Sequence, residues 1–242
     1  MSAIRIGVIT PHAAIGPEEE LPAMAPASVT RVVRIGSAPQ PPTTPSALRS
    51  LTRPAVVGAA AAVFAGDSSD VVGYASTTSA YVIGFAAETA MVSRLSTFLG
   101  VPVASTCESA VRALQALGVE RVALVGAPWF DGEPNELGAT YFGSQGFDVV
   151  SSASAELSRD PERIEPADVC AWVSGQVGDD ADGVFIGGNG FQPRLQSTGW
   201  SPRSVALSLR RTRSCSGTFS RRSGARRRSV VTAGSFCAGA AS

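Results

Sequence analysis

Short apolar runs alternate with segments of helical spacing along most of the chain, and this alternation limits the fold more than any other feature. The predicted strands cover residues 4–9, 70–74, 101–104, 121–126, 147–151 and 183–186. The predicted helices lie near 46–51 and over 81–99, 108–117, 136–145 and 166–176, while the alanine-rich stretch 55–64 fits either a helix or a strand. Strands that alternate with helices predict βαβ units and a mainly parallel sheet. A chain of 242 residues can form one large domain or two small ones, each with its own core.

Two of the predicted strands run into short loops rich in small or hydroxyl-bearing residues. Ser76, Thr77, Thr78 and Ser79 follow the strand at 70–74, and a Gly-Gly-Asn-Gly sequence at 187–190 follows the strand at 183–186. The amides and hydroxyls of such loops can hold two carboxylate or enediolate oxygens, much as an oxyanion hole does. Serine and threonine are also favoured at helix N-termini for purely structural reasons, and one loop can serve both purposes.

These loops resemble the two catalytic loops of the aspartate/glutamate racemase superfamily, which includes maleate isomerase and arylmalonate decarboxylase. The opening strand with Thr10 and Pro11, the segment 102–118, and the segment 122–129 with Asn135 add to the resemblance, which covers roughly residues 3–192. The resemblance implies an α/β fold of two Rossmann-like βαβ lobes with mainly parallel sheets and a cleft between them. We expect the first lobe at residues 1–105 and a truncated second lobe at 106–191.

The superfamily carries out proton transfer next to a carboxylate through an enediolate, without a cofactor, and has a cysteine in one or both loops. Here the two matching positions hold Ser76 and Gly188. A thiol of lowered pKa is a competent acid or base, whereas a serine hydroxyl has a far higher pKa and glycine has no side chain. The resemblance therefore implies a racemase, isomerase or decarboxylase of a small carboxylate or dicarboxylate whose usual cysteines are replaced. The alternative is a relative that binds carboxylates without turnover. Decarboxylation requires only one proton donor and is the least impaired of the three reactions.

His12, the single histidine of the chain, directly follows the first strand. It is either a solvated loop residue or a catalytic acid or base that replaces the missing thiols. The resemblance adds a set of substrate-binding candidates at both lobes: Thr10, Pro11, Thr77, Thr78, Ser79, Trp129 and Asn189. Trp129 could form a pocket wall or pack between the lobes.

Composition excludes several other classes of site. The four cysteines are widely spaced and lack a C-x-x-C pair, so neither a zinc site nor a disulfide framework is predicted, and reduced cytoplasmic thiols are expected. The glycines at 187–190 lack the G-x-G-x-x-G spacing of a dinucleotide site. No apolar run is long enough to span a bilayer, and residues 1–10 lack the features of a secretory signal. We therefore expect no cofactor, no metal and no membrane association, and homo-oligomerisation remains possible.

The zero net charge conceals a division of the chain. All 20 acidic residues lie before residue 183, whereas 10 of the 20 arginines lie after it. Residues 192–242 lose the βα pattern, and codons that can encode them can also encode, in a shifted frame, amphipathic segments of the kind seen in the superfamily. We interpret this tail as frame-shifted, and expect it to lack a packed core and to leave a strand edge of the second lobe unpaired. The alternative is a native arginine-rich arm that binds nucleic acid, which the lack of interleaved aromatic residues disfavours.

Overall fold

The computed structural model describes residues 3–11, 16–36, 44–188, 191 and 229–232. Within these residues the chain forms two four-stranded parallel sheets. The strands are β1 (Ile4–Thr10), β2 (Ser28–Arg34), β3 (Val71–Tyr74), β4 (Val103–Ser105), β5 (Arg121–Gly126), β6 (Asp148–Ser154), β7 (Gly183–Ile186) and β8 (Ser229–Thr232). The helices are α1 (Pro17–Met24), α2 (Pro45–Leu51), α3 (Pro54–Ala62), α4 (Thr77–Ile83), α5 (Phe85–Leu99), α6 (Thr106–Ala116), α7 (Gly132–Gly143) and α8 (Pro166–Gln176). The predicted two-lobed α/β fold with parallel sheets is confirmed.

The two sheets repeat one arrangement. The strand order is β2-β1-β3-β4 in the first sheet and β6-β5-β7-β8 in the second. In each sheet the first strand in sequence therefore lies between the second and the third. The first strand of each lobe also begins with an equivalent hydrogen bond, in which an arginine backbone N–H donates to an aspartate that precedes the third strand. Arg5 donates to Asp70 at 2.8 Å, and Arg121 donates to Asp182 at 3.0 Å. The sheets change between β4 and β5, and the predicted lobe boundary at residue 105 remains a prediction.

The cores of the lobes meet through α4. Its Ala80 and Tyr81 belong to one apolar cluster with the buried residues of α6, β5 and α7. Gly138 of α7 makes this approach possible, because a Cβ atom there would lie 2.8 Å from the Tyr81 ring. The first turn of α4 is therefore held between the sheet that precedes it and the helices of the second lobe.

The structure differs from the sequence predictions at α1, β2 and Gly84, and it decides between the two alternatives left open for residues 55–64. Helix α1 and strand β2 were not predicted, because α1 combines consecutive glutamates with an internal proline and β2 is a partly exposed edge strand. The predicted helix over 81–99 is divided at Gly84, and α4 and α5 meet at 114°. The ambiguous stretch 55–64 is largely helical, as α3.

Part of the tail completes the second sheet. Strand β8 pairs in parallel with β7 over its whole length, from Gly183 opposite Ser229 to Ile186 opposite Thr232. The expectation that the tail leaves this edge unpaired is therefore wrong for β7, because four residues of suitable β-propensity occupy it. The rest of residues 192–242 lies outside the described residues.

Among the residues that the structure describes, no single helix is long and apolar enough to cross a membrane, and α4 and α5 meet that criterion only as a sharply bent pair.

Candidate functional site

Several of the predicted site residues that the structure describes lie where the strand order of each sheet reverses. In the first sheet this point is between the carboxyl ends of β1 and β3, and in the second it is between those of β5 and β7. Open parallel sheets bind ligands at such points, because the loops diverge there and leave a crevice. In the first sheet, Thr10 ends β1 and Ser76 follows β3. In the second sheet, Trp129 follows β5 and Gly188 follows β7.

Backbone hydrogen bonds show that Ser76 and Gly188 occupy equivalent positions in the two lobes. The residue after each third strand donates its N–H to the strand beside it: Ala75 to Ile9 and Gly187 to Val125, both at 2.8 Å. Ser76 and Gly188 come next in the chain. The equivalence that the sequence suggested therefore has a counterpart in sheet register.

The Ser76 side chain faces inward and caps α4. Its hydroxyl oxygen accepts from the Ser79 N–H at 3.3 Å and its O–H donates to the Ser79 hydroxyl at 2.8 Å, and both residues are completely buried. This satisfies an amide of the first helical turn. The structural role predicted for these hydroxyls is thus present, and the Ser76 hydroxyl is committed to it in this conformation.

Thr77 lies where the loops of the two lobes meet. Its side chain is 1% exposed, and its hydroxyl oxygen has no hydrogen-bond partner among the described residues. Its carbonyl oxygen accepts from the Cys107 thiol at 3.7 Å. A Cβ atom at Gly187 would lie 3.0 Å from the Thr77 methyl group, so the first loop touches the second here. Thr77 therefore offers a buried, unsatisfied hydroxyl at the junction of the lobes.

Thr78 faces a narrow crevice of about 10 Å³ between α2, α4 and α7. The crevice is bounded by Pro45, Leu48, Tyr81, Val82, Glu133, Pro134 and Leu137. Its walls are mainly apolar, and it is large enough for about one water molecule. Thr78 thus lines an apolar crevice, whereas Thr77 contacts the loop after β7.

The backbone at Gly188 leaves no room for a side chain. Its φ angle is +125°, and a Cβ atom there would lie 2.6 Å from the Ala127 Cβ atom. Both features oppose an L-residue at this position. A thiol cannot be placed at residue 188 without movement of the backbone or of Ala127.

The remaining described candidates support the loops. Thr10 is fully buried and donates its hydroxyl to the Ala75 carbonyl at 3.0 Å, which ties the end of β1 to the first loop, and Pro11 beside it is also buried. Trp129 packs edge-to-face on Phe191, with ring centroids 6.2 Å apart, against the core of the second lobe. His12 and Asn189 lie outside the described residues, and their roles stay predictions.

A buried acidic cluster lies behind the first loop and was not anticipated from the sequence. Glu88 at the start of α5 is fully buried, accepts the Tyr141 hydroxyl of α7, and accepts the Glu108 N–H at 3.4 Å. Burial raises the pKa of Glu88, and the Tyr141 hydroxyl and the nearby Ser105 side chain oppose part of that rise. Burial also raises the pKa of the Cys107 thiol well above its ordinary value, which argues against a reactive thiol there.

A second buried carboxyl, Glu20 of α1, was also missed. Burial, followed by repulsion from Glu18 and Glu19, raises its pKa to about 7. Among the described residues, no three of His, Cys, Asp and Glu are grouped so that they could hold a metal ion.

The comparisons with known proteins agree with this architecture. No curated protein matches the sequence. The fold is similar to maleate isomerase Iso from Pseudomonas putida S16, with 18% identity, 97% of this chain and 90% of that chain covered, and a TM-score of 0.69. It is also similar to arylmalonate decarboxylase, with 18% identity, 98% and 91% covered, and a TM-score of 0.72. A maleate cis-trans isomerase from Nocardia farcinica gives 19% identity, 97% and 89% covered, and a TM-score of 0.66.

The family model of arylmalonate decarboxylase matches residues 53–198, more than half of the chain. The match includes both loops and the helices that join them. It confirms the predicted relationship to the aspartate/glutamate racemase superfamily, and the chain belongs to the arylmalonate decarboxylase family.

Proposed function

We propose that this protein binds a small carboxylate where the loops after β3 and β7 meet, and transforms it slowly, without a cofactor, through an enediolate. The observation that carries the proposal is the Thr77 hydroxyl, which is buried at the junction of the two loops and has no partner among the described residues. Buried polar groups are nearly always satisfied, so such a group is suited to bind a ligand oxygen. The amides of the same loop can hold the second oxygen.

Decarboxylation of a malonate-type diacid is the reaction that we favour. Loss of carbon dioxide from such an acid leaves its bonding electrons on the enediolate, and a single proton delivered to carbon completes the reaction. Racemisation requires a base on each face of the carbon atom, and neither Ser76 nor Gly188 supplies a thiol. His12 is the side chain we assign to that proton transfer.

A second candidate is carboxylate binding without turnover. It is favoured by the Ser76 hydroxyl, which is bonded to Ser79, and by the conformation of Gly188, which has no space for a side chain. Turnover separates the two candidates, because both predict binding.

Titration calorimetry with malonate and maleate tests the binding step. Maleate is a suitable probe because a maleate isomerase of this fold has been solved with maleate, and sulfate is a second one because an arylmalonate decarboxylase has been solved in a sulfate-associated form. We expect saturable binding that Thr77→Val weakens. Absence of binding by all three anions would contradict the proposal.

Release of carbon dioxide from 2-substituted malonates tests the chemical step. We expect His12→Ala to abolish turnover and leave malonate affinity nearly unchanged. Unchanged turnover would eliminate His12 as the proton donor, and absence of turnover in the unaltered protein would favour binding alone.

A further inference from the structure

Glu88 and Tyr141 form a buried hydrogen bond between the lobes, close to the candidate site. Glu88 lies at the start of α5, which packs on β4 of the first sheet, whereas Tyr141 lies on α7, which packs on β5 and β6 of the second. Tyr141 donates its hydroxyl to the Glu88 carboxylate, and neither side chain has appreciable contact with solvent. This bond therefore adds a buried polar contact to the apolar packing between the lobes.

The same tyrosine also packs against α4. Tyr141 packs against Tyr81 of α4 and Phe85 of α5, with ring centroids 5.8 and 5.9 Å apart. Helix α4 begins at Thr77, and α5 continues from it after the single residue Gly84. A change in the Glu88–Tyr141 contact therefore changes how firmly the helix that carries Thr77 is held against the second lobe.

The surroundings of Glu88 favour its neutral form. It is faced by a second buried carboxyl, Glu108, one of whose oxygens accepts Arg112 while the other has no partner among the described residues. The other titratable groups around it are Tyr74 of β3, Tyr81 of α4, Cys107 of α6 and Tyr141 of α7. The Arg112 guanidinium is mainly exposed and binds Glu108, so no cation among the described residues pairs with Glu88.

We propose that Glu88 and Tyr141 are positioning residues: they hold α4, and with it Thr77, against the second lobe, and make that hold weaken as Glu88 ionises. The proposal rests on the proposed function for its effect on ligand binding, but the hold on α4 can be measured without a ligand. When α4 separates from α7, Glu88 reaches water and regains its ordinary acidity. Raising the pH therefore favours the separated arrangement, because the buried carboxyl keeps its proton to a higher pH than the exposed one does.

Hydrogen exchange of the Thr77–Ile83 amides, corrected for intrinsic rates, measures this directly in the full chain. Between the ordinary carboxyl pKa of 4.5 and the raised pKa of Glu88, the opening constant should rise by up to about tenfold per pH unit. Glu88→Gln should abolish that rise and give greater protection than the unaltered protein at weakly alkaline pH. A fully neutral side chain would thus strengthen the contact.

Tyr141→Phe and Tyr81→Phe form a matched pair at the same interface. Tyr141→Phe removes a donor to ionised Glu88, so its loss of protection should grow as the pH rises. Tyr81→Phe removes a hydroxyl that is not bonded to Glu88, so its effect should depend much less on pH. A pH-independent effect of Tyr141→Phe, or an unchanged pH slope in Glu88→Gln, would overturn the proposal.

Malonate affinity separates this inference from the proposed function. If both hold, affinity should fall with rising pH in the unaltered protein and much less in Glu88→Gln. If malonate does not bind at any pH, the proposed function fails while the exchange measurement still decides the role of Glu88.

Discussion

Replacing Thr77 by Val should stabilise the protein and weaken carboxylate binding at the same time. The Thr77 hydroxyl is buried without a partner among the described residues, and an unsatisfied buried hydroxyl destabilises a fold by roughly 1–3 kcal/mol. Valine has nearly the same shape and removes that group. Since the loop can relax in part, we expect the free energy of unfolding to rise by about 1 kcal/mol.

Thr10→Val provides the matched control. Thr10 is equally buried, but its hydroxyl donates to the Ala75 carbonyl at 3.0 Å. Loss of that bond should lower the free energy of unfolding by about 1 kcal/mol. The two variants make the same chemical change within one site, but their effects on the free energy of unfolding should have opposite signs. The free energies of unfolding of the two variants should therefore differ by about 2 kcal/mol.

Urea unfolding followed by circular dichroism measures both variants, and an unchanged denaturant slope shows that the same surface is exposed in each. Malonate affinity should fall roughly tenfold to a hundredfold in Thr77→Val, the loss expected for one hydrogen bond to a charged group. A Thr77→Val protein as destabilised as Thr10→Val would refute the assignment of an unsatisfied hydroxyl. Unchanged malonate affinity would refute its role in binding.

Three further outcomes follow from the packing and charge of other residues. Gly188→Cys should destabilise the fold by about 1–3 kcal/mol because of its positive φ and the Ala127 contact, and Ala127→Gly should relieve part of that loss; thermal unfolding checks both. Gly138→Ala should destabilise by about 1–3 kcal/mol through a clash with the facing tyrosine ring, whereas Gly143→Ala on the same helix has open space and should be neutral or stabilising. The free energy of unfolding should fall as the pH rises from 4.5 toward about 7, because the raised pKa of buried Glu20 favours its neutral form. This pH-dependent loss is about 3 kcal/mol at most, and Glu20→Gln should remove it. Denaturant titrations at several pH values, compared between the two proteins, would contradict the Glu20 assignment if their pH slopes were equal.

The parts of the fold that the sequence predicts well are those set by local pattern. Strands such as β5 and β7 are buried on both faces, so they appear as continuous apolar runs. The half-exposed edge strand β2 and the glutamate-rich α1 have weaker patterns, because part of each faces water. The break at Gly84 depends on how α4 meets the second lobe, which is information that a local window lacks.

In the candidate site, too, the sequence predicts local features better than contacts between distant elements. Positions such as Ser76 and Gly188 are predicted by the resemblance of their loops to those of the superfamily, and the convergence of parallel strand ends agrees with that placement. The Ser76 cap is local and is the structural role that the sequence suggests for these hydroxyls. The bond between Glu88 and Tyr141 could not be predicted, because it depends on packing between residues from separate elements. The frame-shift hypothesis for residues 192–242 stays a prediction, and sequencing the gene around codons 191–193 is its direct test.

Residues 76 and 188, the two positions that the resemblance matches to cysteines of the superfamily, differ in how readily each could hold a thiol, and this bears on how the proposed activity could be increased. At residue 76 the side chain remains, and a cysteine there would face the same buried cap interactions as the serine does now. At residue 188 the backbone has a positive φ and the Ala127 methyl group occupies the space that a Cβ atom would need. A cysteine at 76 therefore requires one substitution, whereas one at 188 requires Ala127 and the local backbone to change with it. Since decarboxylation needs a proton on one face only, a thiol at residue 76, once released from its buried cap, is the smaller change toward that reaction, while racemisation should need the additional changes in the second lobe.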